Sequence, residues 1–471
     1  MSFVSYSFLL LFAVAWAGRL TFGRNKNEKS YLLFLLVLSL IFYASYIPAY
    51  LFLLLGVTAV DFYAGRKIAE TADQTRKKWF LFLSVGSNLG LLGFYKYSNF
   101  LLDNFELLSR ELGIKGISVP AVEWALPLGI SFFTFQSISY TFDIYRGVLR
   151  PLDRYWRFLL FVSFFTHLVS GPIVRARELV YQFDRKRRPR LSVGLQGAYY
   201  MIRGFFLKMV VADNLAYYVN KYWKDSLIYG GSALFSLLLA FLFACQILAD
   251  FEGYSNIAMG SAYLLGFRLP FNFNNPYLAR TFKEFWTRWH ITLSRWMRDY
   301  LYIPLGGNRV AEWRNYVNLL LVMVIAGFWH GAAYTFLFWG ALHGIALVLE
   351  RMFGIPKLAE RYALLGGAWY FVVQAGVLAG WIFFRAESLD QAFALAGNLF
   401  KGGWEPASAQ RLLPALAFTL PTLAIHFRGF LGEAQRLGAP SPFEKAAWAA
   451  LMLYGILSLY GENSAFIYFQ F

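Results

Sequence analysis

The octapeptide "GFWHGAAY", residues 327–334, sets His330 inside an otherwise apolar stretch. From Tyr316 to Leu349 there is no Asp, Glu, Lys or Arg, so His330 and His343 are the only side chains there that titrate near neutrality. An imidazole, with an ordinary pKa of about 6.5, suits a general base. Burial keeps such a ring neutral and ready to accept a proton. Forty residues earlier, "RWHITLS" carries His290 next to Trp289 and Arg288. Arg288, Arg295 and Arg298 offer charges for the phosphates of an anionic donor or for lipid headgroups. In "ILADFEGYSNIAMG", Asp250 and Glu252 stand two apart and do not share a helix face, which disfavours a paired-carboxylate glycosidase. No H-x-x-H, H-E-x-x-H or P-loop spacing appears, so no metal site is expected, and "PLGGNR" (304–309) reads as a turn. The lone Cys245 reads as a small core residue, His343 and His426 as satisfied core groups, and His167 as a core or pathway residue.

The elements that must position these residues are membrane helices. The 471 residues are 58% hydrophobic and only 15% charged, against roughly 25% for soluble domains. Apolar runs of about 17–25 residues recur along the chain, which predicts a polytopic, all-α integral membrane protein rather than an outer-membrane barrel. The net charge of +17 reads as cytoplasmic loops and not as a nucleic-acid surface. Spans are expected near 3–18, 31–47, 49–64, 79–97, 194–212, 231–249, 315–330, 334–350, 366–384, 411–427 and 444–460. That makes about eleven crossings in one domain. Basic loops at 19–30 and 65–78 place the N-terminus outside, on an uncleaved first span, with 98–123 outside as well.

Two basic loops, 146–157 and 175–190, lie too close together for a full crossing between them. The intervening "FTHLVSGPIV" with its Gly171-Pro172 breaker is therefore expected to be a re-entrant or broken segment. From Phe282 to Tyr300 aromatic and aliphatic residues recur every three or four positions, with Glu284, Arg288, Thr292, Arg295 and Asp299 opposite. That pattern predicts an amphipathic helix anchored by tryptophans along the inner membrane surface. Counted from Arg314 at that surface, His330 lies roughly 24 Å deep. An ionisable group at such depth is either a hydrogen-bonded core imidazole or a functional one lining a cavity, and the residues alone leave both open.

Five stretches together resemble the membrane-bound O-acyltransferase superfamily, and within it the AlgI-type polysaccharide O-acetyltransferases. They are "PLGISFFTFQSISYTFDIYRG" (127–147), "HLVSGPIVR" (167–175), "DFEGYSNIAMGSAYLLGFRLPFNFNNPY" (250–277), "EFWTRWHITLSRWMRDYLYIPLGGNR" (284–309) and "GFWHGAAYTFLFWGALHG" (327–344). The likeness covers most of 1–352, dividing the chain into N-terminal spans (1–126), a catalytic core (127–352) and C-terminal spans (353–471).

The resemblance implies a helical bundle with a tunnel through the inner membrane, His330 as the catalytic histidine and His290 as its second motif histidine. Arg288, Trp289, Trp329, Arg295, Asp250 and Asn256 would line the tunnel or hold the donor. No bound cofactor is implied. Acetyl-coenzyme A would be the cytoplasmic co-substrate, and membrane lipid, an exported polysaccharide and a periplasmic acetyltransferase the partners. Where relatives often carry "DFSGYSD", this chain has Glu252 and Asn256, so no role is transferred to that Asp. The D-alanyl transferase branch, typified by DltB, shares "RWHISLS" and "WHG" and is the rival substrate class. A transporter or channel is the rival without acyl transfer, as broken spans and buried histidines also mark conduction paths.

Overall fold

A computed structural model describes residues 2–24, 28–114, 124–184, 190–224, 226, 232–401, 403–404, 409–434, 438 and 440–467. Lys26, residues 115–123 and the 185–189 stretch of the second basic loop lie outside them. Each expected span falls on a helix, from Tyr6–Arg24 and Glu28–Ala44 to Pro442–Ser458. Among the described residues the only strand-like pairing is an isolated bridge between Ser232 and Gly403. Three helical segments among the described residues are long and apolar enough to cross a membrane: Ala233–Leu264, Ala363–Arg385 and Gln410–Glu433. The bent pair Tyr334–Met352 and Ile355–Arg361 makes a fourth if it is one span.

The chain packs as two compact units, residues 1–197 with 258–270, and 198–257 with 271–471. In the first, Asp61 is fully buried and accepts hydrogen bonds from Ser84 Oγ (2.6 Å) and Asn88 Nδ2 (2.8 Å), which ties Tyr50–Glu70 to Gln74–Leu92. The expected broken segment is there: the helix Tyr155–Ser163 ends and residues 164–174 continue without regular helix, all buried. Gly129, at φ 67°, makes this possible, because a Cβ there would lie 2.3 Å from the Leu168 carbonyl oxygen. His167 sits in this stretch with Nε2–H donating to the Phe161 carbonyl (3.1 Å).

The second unit is built around a helix hairpin, Glu312–His330 and Tyr334–Met352. Glycines set its spacing. A Cβ on Gly327 would stand 2.2 Å from the Phe336 oxygen, and one on Gly340 2.4 Å from the Met323 oxygen, so the two backbones touch where any larger residue would separate them.

The expected surface helix is corrected on two points. It is not continuous: Phe282–Arg288 stops, and Ile291–Met297 begins after His290, whose φ of 40° is left-handed. Its aromatic face does not anchor in lipid either, because Phe285, Trp289, Leu293 and Trp296 are buried in protein. An even three-to-four spacing marks a shared face but carries no sign of a one-residue reversal of backbone handedness. Glu350, from the hairpin, fixes the start of this segment by accepting from the backbone N–H of Phe282 (2.8 Å) and Lys283 (3.1 Å) and from Trp369 Nε1 (2.8 Å).

Candidate active site

His330 is the last residue of its helix and is 2% exposed. Its Nδ1 lies 2.6 Å from the Ala326 carbonyl oxygen. A carbonyl only accepts, so Nδ1 carries the proton and Nε2 the lone pair. Aromatic rings surround the imidazole: Trp329 at 4.9 Å between centroids, Trp339 at 5.0 Å and Phe384 at 5.5 Å. Trp329 also lies 6.3 Å from the His290 ring, so both motif histidines pack against one indole.

His290 is fully buried. The loop at 272–274 grips its backbone from both sides: Ile291 N–H donates to the Asn272 carbonyl, and Asn274 N–H to the Arg288 carbonyl, each at 2.9 Å. Phe251 meets its ring edge-on at 4.6 Å. Nδ1 lies 3.1 Å from Asn272 Oδ1, and Nε2 has no hydrogen-bond partner among the described residues. Burial, and then the neighbouring His330, hold His290 well below the ordinary imidazole range, so it is neutral at pH 7.

The other expected site residues divide. Trp329 and Trp289 are in the aromatic core, Trp289 stacking on Phe285 and lying 4.7 Å from Trp381. Arg288 is held by two carboxylates, Glu284 (2.7 Å) and Glu433 (2.6 Å). Arg295 is exposed. Asn256 is buried, with Nδ2 unpartnered among the described residues. Asp250 belongs to a buried ion cluster: Lys208 Nζ lies 2.8 Å from Asp250 Oδ1 and 2.8 Å from Asp213 Oδ1. The same groups hold the chain's last described residues, with Ser464 O accepting from Lys208 (2.9 Å) and Ile467 N–H donating to Asp250 Oδ2 (2.8 Å).

His343 is core, as expected, but not satisfied. It is fully buried among Phe282, Phe285, Trp286 and Trp339, and neither ring nitrogen has a partner among the described residues. His426 donates Nδ1–H to the Thr422 carbonyl (2.9 Å), and Cys245 is a buried free thiol. No group of three or more metal-ligating side chains occurs among the described residues.

Sequence reasoning missed Asn272, Phe251, Lys208 and Phe384. Asn272 and Phe251 lay inside a quoted motif, but nothing in their spacing points to His290.

Two buried histidines packed against one indole can do acid–base chemistry away from water. The family described as MBOAT, membrane-bound O-acyltransferase family, matches residues 152–355, and the chain belongs to that family. It is an O-acyltransferase, which disposes of the transport-only reading. Within the family it is of the AlgI type. It is 35% identical to the "Probable alginate O-acetylase AlgI" of Pseudomonas putida over 100% of both chains. It is 36% identical to the "Peptidoglycan O-acetyltransferase" of Helicobacter pylori, over 78% of this chain and 73% of that one. The "Teichoic acid D-alanyltransferase" of Streptococcus thermophilus is 34% identical over 47% of this chain and 56% of its own.

Proposed function

We propose that this enzyme moves an acetyl group from cytoplasmic acetyl-coenzyme A, through a tunnel in a multi-pass inner-membrane bundle of about eleven crossings, to a hydroxyl on an exported polysaccharide or on a periplasmic acetyltransferase partner. The observation that carries the reading is the Nδ1–H of His330 committed to Ala326 O, which leaves Nε2 as the basic nitrogen. The hydroxyl oxygen attacks the thioester carbonyl while Nε2 takes its proton. Collapse of the tetrahedral intermediate breaks the C–S bond, and the thiolate recovers the proton from His330. A proton on Nε2 makes a cation at the carbonyl end of a helix, where the dipole favours positive charge by about 0.3–1 kcal/mol or more. The packed rings around it keep competing water out. His290, Trp329 and Asn256 hold the donor beside it.

The acetyl group is favoured over D-alanine because AlgI-type relatives match along the whole chain, whereas the D-alanyl transferase matches about half. The test is purified enzyme in vesicles, supplied with labelled acetyl-coenzyme A on one side and a hydroxyl acceptor on the other. Transfer by the parent and a fall of about 10²–10⁴-fold in His330→Gln are expected. A folded His330→Gln with full transfer would overturn the assigned base, and label arriving only from a D-alanyl donor would overturn the acetyl assignment.

A further inference from the structure

We infer that Asn272 is a positioning residue for acyl transfer: its carboxamide locks His290 as the neutral Nδ1–H tautomer and so presents Nε2 as a hydrogen-bond acceptor beside His330. The inference rests on the proposed function in taking His290 as part of the site, and it adds which group sets the state of that ring.

The state of the ring follows from which atoms around Asn272 can only donate. The backbone N–H of Thr292 points at one terminal atom of the Asn272 side chain from 3.3 Å. A backbone N–H cannot accept, so that atom is the oxygen, and the Thr292 hydroxyl donates to it as well, at 2.8 Å. The amide nitrogen then faces Ser255 Oγ at 3.3 Å, as a donor should. With the oxygen so fixed, the His290 Nδ1 that lies 3.1 Å from it must carry a proton, and in the neutral ring Nε2 then holds the lone pair.

Among the described residues the His290 ring has no other hydrogen-bond partner. Phe251 packs T-shaped against the ring and has no oxygen or nitrogen to accept from it. The Asn272 carbonyl also holds Ile291 N–H, which fixes the left-handed bend from which the His290 ring projects. Asn272 is itself 1% exposed, so no water competes for its oxygen.

The choice of amide over carboxylate has a chemical consequence. A carboxylate at this place would accept the same hydrogen bonds but bring a negative charge to Nδ1–H and stabilise the imidazolium. An imidazolium at 290 would oppose the proton that His330 must take, since both rings pack against one indole. The neutral amide orients His290 without making it the stronger base. His330 is left as the sole resting place for the proton of the attacking hydroxyl, and His290 Nε2 accepts an N–H or O–H of the bound substrates.

The test uses the full chain in vesicles, with acetyl-coenzyme A as donor, and compares Asn272→Asp with Asn272→Ala across pH. Asn272→Asp should fold like the parent and move the acid limb of its pH–rate profile upward by about 1–3 units, so that transfer lost near neutrality returns in alkali. Asn272→Ala should lose transfer at every pH without moving the limb. A second readout needs no turnover. The chain has five histidines, and ¹⁵N-histidine spectra, with His290 assigned by its disappearance in His290→Asn, should show Nδ1–H in the parent and the doubly protonated ring in Asn272→Asp at pH 7. An Nε2–H signal in the parent, or an Asn272→Asp profile with the parent's limb, would overturn the inference. Full transfer by His290→Asn would overturn it too, while the loss in His330→Gln would still stand for the proposed function.

Discussion

Replacing Lys208 by Met should destabilise the protein strongly, because it removes the only cation ion-paired with either Asp213 or Asp250 among the described residues. All three side chains are at most 3% exposed. Taking one partner out of a buried ion pair costs about 3–5 kcal/mol. Unfolding entropy of about 2.1 cal/mol/K per residue gives a chain this long roughly 1 kcal/mol/K, so melting as one unit it should lose about 3–5 °C. The loss has a second expression. Lys208 and Asp250 hold Ser464 and Ile467, and Phe466 between them packs 5.8 Å from Phe251, the ring that touches His290. Acetyl transfer should therefore fall along with stability. The assay is thermal unfolding in detergent, followed by size-exclusion fluorescence, on Lys208→Met and on the triple variant Lys208→Met, Asp213→Asn, Asp250→Asn. The triple variant has no uncompensated charge and should recover most of the lost stability. A single variant that melts with the parent, or a triple variant as weak as the single, would refute the reasoning.

Gly340→Val should destabilise the hairpin, since its Cβ would press on the Met323 carbonyl and overpacking of this kind costs about 1–3 kcal/mol or more; a lower melting temperature in detergent reads the outcome. Glu350→Ala should strip the acceptor from three donors, each worth about 1.5–3 kcal/mol to a charged partner, and loosen the Phe282–Arg288 start; its melting temperature should fall further than that of Glu350→Gln. His290 has a folded pKa below its unfolded value of about 6.5, so its unfolded form binds more protons. Stability is then fully present above that value and falls as the pH drops, by up to about 1.4 kcal/mol per unit. His290→Asn should show a flatter acid limb in pH-dependent melting.

How far the chain could be read from its letters depended on how local each feature is. The helices were legible because each is a single run of residues, and the broken stretch at 164–174 because Gly171-Pro172 and two flanking basic loops announce it. His330 stood out because the 34 residues around it carry no formal charge. Asp250 could be placed in a motif but not as the partner of Lys208, 42 residues earlier, since two helices must fold before the pair exists. Asn272 was equally silent. It reaches His290 through a loop whose backbone conformation, not its composition, aims the side chain.

The left-handed backbone at His290 bears on how any variant at that position is interpreted. A φ of 40° is accessible to glycine and tolerated by asparagine, and is hostile to β-branched residues. A saturation scan at this codon should consequently separate into two tiers of protein abundance even though every member has lost the imidazole. Gly and Asn should accumulate near parental levels, whereas Val, Ile and Thr should be depleted before turnover is ever measured. Alanine, the customary choice for a knock-out, belongs to the strained tier, and its defect would mix lost chemistry with a lost bend.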